Sequence, residues 1–498
     1  MKSKLLSKAK YIYLVGIKGV GMTGLAQILK SQGKKISGSD TTEKFFTDQV
    51  LKKLKIPFKE GFSENNIPKN TDLIIYSTAF NPSNHPELKA AQKRKIPILS
   101  YPEALSQLFN HGLGIAISGS HGKTTTSALI AESLKNLGLS PTALIGSRVV
   151  NWKANALTGK SPFFVIEADE HQNKLRYYLP WSLIITNIDY DHPDYYRKSE
   201  DYYQSFKKWV GKWKARKTEV PKIGVFNGDD PKTKRLMREL KLKNSEDLIL
   251  LTYGKGKENN IRIVNIRVSS HQYPVPSKAY FEVRTPKYDN QNSKIEMITI
   301  KTSLIGEHNA YNLAAAYAFI FGLLLGTGNW SLGTLRKIAK SFSSFQGTER
   351  RMQYIGKREK VAVYDDYAHH PQEIKATLEA FRNNFPKNNI FVIFQPHTYT
   401  RTKAFLPNFA KVLSKADYIG LLEIYGSARE ASGNISSANI QKLLQKRKKQ
   451  AFYFKTHKDC LEFLHKFKFK KPTILVTMGA GDGWRVGTNF LKKWKMEN

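Results

Sequence analysis

The chain has 498 residues, 41% of them hydrophobic, which is enough to build real cores and predicts about three domains. Its formal net charge is +39, and its single cysteine, Cys460, excludes an intrachain disulfide and favours a reducing cytoplasm. No apolar stretch approaches the roughly 18 to 20 residues of a membrane span, so we expect a soluble protein without a membrane partner.

The large excess of lysine and arginine makes nucleic acid the first partner to consider. The basic residues are spread along the whole chain, however, and are not gathered in one arm or stripe. The densest tract, Lys442–Lys449, is typical of the solvated end of a helix. We therefore expect no nucleic-acid partner and interpret the charge as a general lysine bias.

Strand-like apolar runs alternate with helical stretches almost throughout, which predicts an α/β protein with mostly parallel sheets. Three blocks can be separated, at residues 1–110, 111–343 and 344–498. We expect a Rossmann-like first domain, a central P-loop ATPase domain and a Rossmann-like third domain. No long low-complexity linker separates them, so we expect short hinges.

The first block contains predicted strands at Tyr11–Val15, Leu73–Tyr76 and around Ile98. Directly after the first strand, the run Gly19-Val20-Gly21-Met22-Thr23-Gly24 opens a helix, and Asp40 lies 19 residues after Gly21. This pattern satisfies the dinucleotide fingerprint, in which glycines let a diphosphate approach the backbone. By itself it indicates either a nicotinamide cofactor or another diphosphate-bridged nucleotide.

The second block begins with the most informative motif of the chain, Gly119-Ser120-His121-Gly122-Lys123-Thr124. A strand-like apolar run precedes it, and a helical stretch, Thr125–Leu134, follows. In such a strand, turn and helix the backbone N–H groups face an anion, Lys123 adds positive charge and the Thr124 hydroxyl can hold Mg²⁺. The first glycine lies three residues before Gly122 instead of five, but the motif still predicts a bound nucleoside triphosphate.

Two acidic clusters follow strand-like runs in this block. They are Glu167-Ala168-Asp169-Glu170 and Thr186-Asn187-Ile188-Asp189-Tyr190-Asp191-His192. In a doubly wound sheet both would end beside the phosphate loop. Glu167 together with Thr124 would offer the hard oxygen ligands that Mg²⁺ prefers. For His192 the pattern leaves two roles open, a metal ligand or a capping or core residue.

An alternating pattern interrupts the second block and predicts an antiparallel patch. Its strands are expected at Ile261–Val268, Tyr280–Val283 and Ile295–Ile300, and the polar tract Thr285–Ser293 is expected to form a hairpin loop.

Next in the chain, Asn309 and Asn312 precede the apolar helix Leu313–Leu325. Their spacing places both on one helix face, which suits amide recognition of a base edge. An ordinary helix cap with solvent-facing amides is the alternative.

The third block has predicted strands at Val361–Tyr364, Phe391–Phe394, Ile419–Glu423 and Thr473–Thr477. A chemically dense turn follows each strand at once. The turns are Asp365-Asp366-Tyr367-Ala368-His369-His370, Gln395-Pro396-His397, Glu423-Ile424-Tyr425-Gly426 and Met478-Gly479-Ala480-Gly481-Asp482. Because the carboxyl ends of parallel strands share one edge of a sheet, we expect these turns to meet in one crevice.

Taken together and in this order, these motifs resemble the Mur ligase family over nearly the whole chain. Within the family the resemblance is strongest to members that join L-alanine to the lactyl carboxylate of UDP-N-acetylmuramate. It implies an ATP-dependent amide-bond ligase of peptidoglycan synthesis that works through an acyl phosphate in the cytoplasm. The three blocks would bind the UDP-sugar, ATP and the amino acid, in that order, and we expect a monomer or weak homodimer.

The resemblance also implies roles for individual residues. The ATP site would comprise Gly119, Ser120, His121, Gly122, Lys123, Thr124, Thr125, Asn309 and Asn312, and the Mg²⁺ ligands would be Thr124, Glu167 and His192. The UDP-sugar would contact Gly19, Gly21, Asp40 and Ser77, and the amino acid would contact Tyr367, His369, His397 and Arg401. The catalytic residues would be Lys123, Glu167, His192 and His369, with His369 as the base for the incoming amine.

The chain departs from the family's pattern in several places. Thr398 stands where an Arg usually follows the His of Phe-Gln-Pro-His, and an Arg there would pair with the amino acid's carboxylate. His171-Gln172 replaces a typical Ser-Asp, and Phe62 replaces a common His. Lys207 has the spacing of the carbamylated lysine of sister ligases, a match that we attribute to the abundance of lysine.

Three alternative functions follow from these observations. A ligase that adds another amino acid, or a recycled tripeptide (L-alanyl-γ-D-glutamyl-diaminopimelate), to the same UDP-sugar would differ only in the amino-acid pocket. A nicotinamide dehydrogenase would leave the loop around Lys123 unexplained. A non-catalytic nucleic-acid-binding ATPase would leave the dense turns of the third block unexplained.

Overall fold

The computed structural model describes residues 5–193, 195–268, 279–285, 296–327, 331–426 and 434–492. Within these ranges the strands form three separate sheets, each with mostly parallel pairing. This confirms the predicted class, a three-domain α/β protein. The domain limits 1–110, 111–343 and 344–498 stay predictions.

The first domain is a parallel sheet of Rossmann type. Its strands are β1 Tyr11–Val15, β2 Lys35–Asp40, β3 Phe58–Glu60, β4 Leu73–Tyr76 and β5 Ile98–Ser100, and its helices are α1 Leu5–Lys8, α2 Val20–Ser31, α3 Phe46–Lys53, α4 Pro86–Lys93 and α5 Tyr101–Phe109. As far as the described residues go, the strand order is β3-β2-β1-β4-β5. The chain reverses direction across the sheet at β1, and ligands bind at that switch point in sheets of this kind.

The central domain has the largest sheet. Its strands are β6 Leu113–Ser118, β7 Thr142–Val149, β8 Ala154–Leu157, β9 Phe163–Glu167, β10 Ser182–Ile185, β11 Lys222–Asn227, β12 Leu248–Gly254, β13 Ile261–Val268, β14 Ala279–Thr285 and β15 Glu296–Thr302. Its helices are α6 Lys123–Asn136, α7 Ser199–Ala215, α8 Pro231–Glu239, α9 Glu307–Thr327 and α10 Leu332–Ser341.

Strand β6 lies between β10 and β9, so the loops that follow these three strands share one edge of the central sheet. The pairs β13–β14 and β14–β15 are antiparallel, which confirms the predicted patch. The predicted hairpin loop between β14 and β15 lies almost wholly outside the described residues.

The third domain contains β16 Gln353–Arg358, β17 Val361–Asp366, β18 Asn389–Phe394, β19 Tyr418–Leu422, β20 Gln450–Phe454 and β21 Thr473–Met478. Its helices are α11 Pro371–Asn384, α12 Tyr399–Ala404, α13 Leu406–Leu413, α14 Ser437–Lys446, α15 His457–Lys466 and α16 Trp484–Leu491. Over the part of the chain that is described, the order is β16-β17-β21-β18-β19-β20, with only the β16–β17 pair antiparallel. The predicted strands of this domain are thereby confirmed.

Helix α9 corrects one expectation from composition. Of the helices described, it alone has the length and hydropathy of a membrane span, although we expected no segment to approach these values. In the folded chain it packs against β11, β12 and α6, and Leu313–Phe321 is buried. Its apolar character therefore serves the core of the central domain, as expected for a helix that is hydrophobic on all sides.

Candidate functional site

The phosphate loop has the geometry that an anion site requires. Gly119 and Gly122 have φ angles of +134° and +83°, which favour glycine. A Cβ at Gly119 would lie 2.2 Å from Thr186 Oγ1, and one at Gly122 would lie 2.3 Å from Asn312 Oδ1. Gly122 caps α6 without a side-chain hydrogen bond, which leaves helix N–H groups for a ligand.

Lys123 is already paired with a carboxylate. Its Nζ lies 3.0 Å from Glu170 Oε2 and also donates to the carbonyl of Gly119. Glu170 is fully buried and accepts a further hydrogen bond from the Tyr202 hydroxyl at 3.0 Å. Burial opposes both charges, but the attraction between the two side chains helps to outweigh it. The pKa of Lys123 is therefore raised and that of Glu170 is lowered, so both stay charged.

The structure brings Thr124 and Glu167 together as predicted. The Thr124 hydroxyl donates to Glu167 Oε2 at 2.9 Å, and the same oxygen accepts from the Gly146 amide at 3.0 Å. Burial raises the pKa of Glu167 although Lys123 counteracts it. The Thr124 hydroxyl at the start of α6 thus meets the Glu167 carboxylate at the end of β9.

His192 lies beside Glu170. Its Nε2 is 3.6 Å from Glu170 Oε1, and its ring stacks on His171 with ring centres 4.5 Å apart. Its backbone is left-handed, with φ +56°, which is uncommon for a residue other than glycine. Ligand atoms of Asp169, Glu170 and His192 all lie within 4.8 Å of one another, so these three side chains could hold a cation.

A cavity of about 310 Å³ opens in front of the phosphate loop. Its lining includes His121, Gly122, Thr124 and Thr125 from the loop, and Asn309 and Asn312 from α9, all six of them predicted ATP-site residues. The third domain also contributes to it, through α11 and the segment before β16. The cavity therefore lies between two domains.

The two asparagines do share a face of α9, as their spacing predicts. The Asn312 amide donates to Asn309 Oδ1 at 3.1 Å, and Asn309 donates to the carbonyl of Ile305 at 2.8 Å. Both are buried, so solvent-facing amides can be excluded for this conformation. Asn312 also joins α9 to α6, because the Thr126 hydroxyl donates to Asn312 Oδ1.

Two third-domain residues that sequence reasoning left without a role also line this cavity, Arg351 and Asp366. Arg351 lies between Arg350 and Met352, which have φ angles of +59° and +45°. Burial raises the pKa of Asp366 to about 6, although Arg351 opposes the shift. The Arg-Arg pair before β16 and the Asp-Asp pair ending β17 were visible in the sequence, but only the domain arrangement assigns one member of each to the cavity.

The predicted UDP-sugar residues lie at the carboxyl ends of β1, β2 and β4, apart from the cavity. Gly19 caps α2 without a side-chain hydrogen bond, and the Ser77 amide donates to the Val15 carbonyl. Asp40 accepts from the Lys18 amide at 2.6 Å, so its carboxylate already holds the glycine loop. Gly21 is required by contact, since a Cβ there would lie 2.7 Å from the Tyr101 ring.

Tyr101 connects the first domain with the central acidic cluster. Its ring covers Gly21, and burial, together with the charges of Asp169 and Glu167, raises the pKa of its hydroxyl. Asn155 makes a second link between the domains by donating to the Val20 carbonyl at 2.8 Å. Through Tyr101, the run Gly19–Gly24 of the first domain is therefore connected with Glu167 and Asp169 at the end of β9.

Three of the four predicted amino-acid residues lie together in the third domain. The ring centres of Tyr367 and His369 are 5.3 Å apart, and those of His369 and His397 are 6.1 Å apart. Burial lowers the pKa of His369 to about 3. Arg401 is near enough to oppose the positive charge of His369, but it is buried and binds Asp191 of the central domain at 2.9 Å.

Lys207 lies on α7 and forms a 2.9 Å ion pair with Glu239 of α8. This placement gives it an ordinary structural partner. It agrees with the interpretation that its spacing arises from the abundance of lysine.

Comparison with known proteins gives a consistent result. Three family models match the chain: the Mur ligase family catalytic domain at residues 11–112, the Mur ligase middle domain at 117–320 and the Mur ligase glutamate ligase domain at 350–481. A UDP-N-acetylmuramate–L-alanine ligase of Desulfitobacterium hafniense is 33% identical over 97% of this chain and 99% of its own length.

Solved structures agree with these matches. A UDP-N-acetylmuramate-alanine ligase of Thermotoga maritima has a TM-score of 0.75 at 26% identity, covering 97% of this chain and 98% of its own. A murein peptide ligase of Psychrobacter arcticus has a TM-score of 0.65 at 18% identity with the same coverage, which indicates a shared fold. The similarity thus extends across all three sheets.

Proposed function

The chain belongs to the Mur ligase family, and on that premise we propose that it joins L-alanine to the lactyl carboxylate of UDP-N-acetylmuramate in an ATP-dependent reaction. The observation that carries the proposal is the cavity between the central and third domains. It combines a phosphate loop, paired asparagines and an arginine from the domain that would bind the amino acid. The product is an amide for peptidoglycan synthesis.

In the first step an oxygen of the lactyl carboxylate attacks the γ-phosphorus of ATP, and ADP leaves. Phosphoryl transfer depends mainly on positioning and on neutralising charge. Lys123 exchanges Glu170 for the β- and γ-phosphates, while amides at the start of α6 hold the remaining oxygens. Asn309 and Asn312 recognise the adenine edge, and Arg351 neutralises phosphate charge from the third domain.

The donor set near the loop fits Mg²⁺. Thr124 and Glu167 offer hard oxygens that are already 2.9 Å apart, and His192, in the segment after β10, is the third proposed ligand. A bound Mg²⁺ supplies neutralisation of the phosphate oxygens. The protein's own contribution is to hold these side chains at the start of α6, at the end of β9 and in the segment after β10.

In the second step the amine of L-alanine attacks the acyl carbonyl, and inorganic phosphate leaves. His369 lies near Tyr367 and His397, and its Nδ1 is 2.9 Å from the Tyr367 carbonyl, which leaves Nε2 to face the amine. With a pKa of about 3 the ring is neutral at pH 7. A ring with so low a pKa is a weak base, so in place of the base role that the resemblance implied, we propose that His369 accepts a hydrogen bond from the amine and orients it, and that the proton passes on to solvent.

The remaining features of the proposal are the protein's localisation, its oligomeric state and the ligand of its first domain. Substrates of this kind are made in the cytoplasm, so the protein works there, as a monomer or weak homodimer, without nucleic acid or membrane. The first-domain glycines hold the diphosphate of the UDP-sugar, not a nicotinamide. Asp40 supports this by holding the loop instead of meeting a ribose.

The test is incubation of the protein with ATP, UDP-N-acetylmuramate and, one at a time, L-alanine, glycine, L-serine and the tripeptide L-alanyl-γ-D-glutamyl-diaminopimelate. Phosphate release and product mass are measured, and hydroxylamine traps the acyl phosphate. We expect the greatest rate with L-alanine. Fastest turnover with the tripeptide would support the alternative that Thr398 raises, and no turnover with any acceptor would refute the ligase proposal.

A further inference from the structure

A buried ion pair joins the third domain to the segment that carries His192. Arg401 Nη2 of α12 lies 2.9 Å from Asp191 Oδ1, and the exposed fractions of the two side chains are only 7% and 8%. The partners are 210 residues apart in the chain. Their contact therefore exists only when the third domain sits against the central one.

The same Asp191 oxygen also supports the backbone of its neighbour. Asp191 Oδ1 accepts from the His192 amide at 2.7 Å, and His192 has φ +56°. A non-glycine residue in this region persists only where its surroundings hold it. The Tyr195 and Tyr196 amides, which both donate to the His192 carbonyl, complete the turn.

Arg401 therefore has Asp191 as its hydrogen-bond partner, although the charges of both residues also act on His369 of the group formed by Tyr367, His369 and His397. Its side chain reaches the central domain, while the family resemblance placed it near the incoming amino acid. Its Nε has no hydrogen-bond partner among the described residues, so direct contact with the amino acid's carboxylate is the competing explanation. An experiment must separate the two roles.

We propose that Asp191 is a positioning residue that couples seating of the third domain to the orientation of His192. The inference rests on the proposed function, in which His192 holds the metal. With Arg401 in place, Asp191 is fixed and the His192 turn is held. When the third domain moves away, a buried carboxylate loses its charge partner, and the turn loses its anchor. Metal binding and domain seating then favour one another.

The test is a double-mutant cycle with Asp191→Asn, Arg401→Lys and the double variant. Mn²⁺ affinity is measured by electron paramagnetic resonance with a non-hydrolysable ATP analogue present, and kcat and KM for L-alanine are measured separately. We expect each single variant to weaken Mn²⁺ binding about tenfold, on the order of one buried charged hydrogen bond. The double variant should bind Mn²⁺ no more weakly than the single variant with the lower Mn²⁺ affinity.

The matched control is Asp417→Asn. Asp417 forms a 2.8 Å pair with Arg382 inside the third domain, so its loss should leave Mn²⁺ affinity unchanged. Thermal melting of every variant identifies those that fail to fold. If Asp191→Asn does not fold, Arg401→Lys alone still tests the effect on Mn²⁺, because it keeps the positive charge.

Three results would overturn the proposal: additive losses in the double variant, unchanged Mn²⁺ affinity in the folded variants, or a raised KM for L-alanine as the only effect of Arg401→Lys. The last result would make Arg401 a direct contact of the amino acid. A failure of the proposed function looks different, because the wild type itself would then make no L-alanine product while the Mn²⁺ measurements could still show coupling.

Discussion

Lys123 has two alternative partners, the Glu170 carboxylate and the phosphates of ATP. In this conformation it binds Glu170 at 3.0 Å, and during turnover it must bind phosphate. The buried Glu170 keeps the lysine charged and close to the loop before nucleotide arrives. Because the pair is preformed, nucleotide binding rearranges a charge already in place instead of burying a new one.

Replacing Lys123 with alanine should lower kcat by about 100- to 1,000-fold, as loss of one preorganised charge at a transferred phosphoryl group does. Phosphate release with all three substrates measures the effect. Lys135→Ala is the control, since Lys135 lies at the other end of the same helix, half exposed beside Glu132. Full turnover by Lys123→Ala would contradict the assigned role.

Arg351 enters the cavity from the third domain and has no counterpart in the sequence-based site. Arg351→Met should reduce kcat/KM for ATP by about 10- to 100-fold, because a positive charge near the phosphates is lost. Arg336→Met, on the exposed surface of α10, should have no effect. Equal behaviour of the two variants would remove Arg351 from the site.

At the scale of elements, α6 carries the function at one end only. Gly122 and Gly138 lie beyond its two ends with the same φ of +83°. A Cβ would meet Asn312 Oδ1 at 2.3 Å at the first position and nothing within 4 Å at the second. The same backbone conformation thus has a different meaning at each end of one helix.

Gly122→Ala should therefore abolish measurable ATP binding, because it adds a steric conflict with the α9 asparagine to the backbone strain. Gly138→Ala should lower stability by only about 1 kcal/mol, from strain alone, and keep ATP affinity. Isothermal titration calorimetry with an ATP analogue and thermal melting measure the two effects. Comparable loss of ATP binding in both variants would show that strain, and not the Asn312 contact, matters.

At the scale of the whole molecule, His121 of the phosphate loop connects two domains. Its Nε2 is 3.3 Å from Asp189 and its Nδ1 is 3.5 Å from Glu373 of α11. Its ring also lies 5.0 Å from that of His370. Burial opposes its charge, but Asp189 and Glu373 outweigh this and raise the pKa of His121 to about 9.

This raised pKa predicts a pH dependence of stability. The folded protein holds the proton more tightly than the unfolded chain, so the stabilisation is complete below pH 6.5 and is lost as the pH rises through about 9. The contribution is at most about 3 kcal/mol. The melting temperature should fall over that interval, and His121→Asn should flatten the decline, whereas variation of the exposed His111 should not. An unchanged dependence of melting temperature on pH in His121→Asn would contradict a stabilising role for the contacts of His121 with Asp189 and Glu373.

The sequence alone determined the three α/β blocks, the antiparallel patch and the phosphate loop. These features depend on local pattern: apolar periodicity sets strands and helices, and a glycine turn before a helix sets an anion site. The pairing of Thr124 with Glu167 also followed, because Glu167 ends β9 and Thr124 lies in the first turn of the helix that follows the neighbouring parallel strand β6.

Only the tertiary structure decided what crosses between domains. It assigned Arg351 and Asp366 to the cavity and Arg401 to Asp191. Spacing along the chain cannot supply such contacts, because they depend on how separately folded sheets are set against one another. Burial in that arrangement then fixes which charges stay paired, and so which side chains remain for substrate.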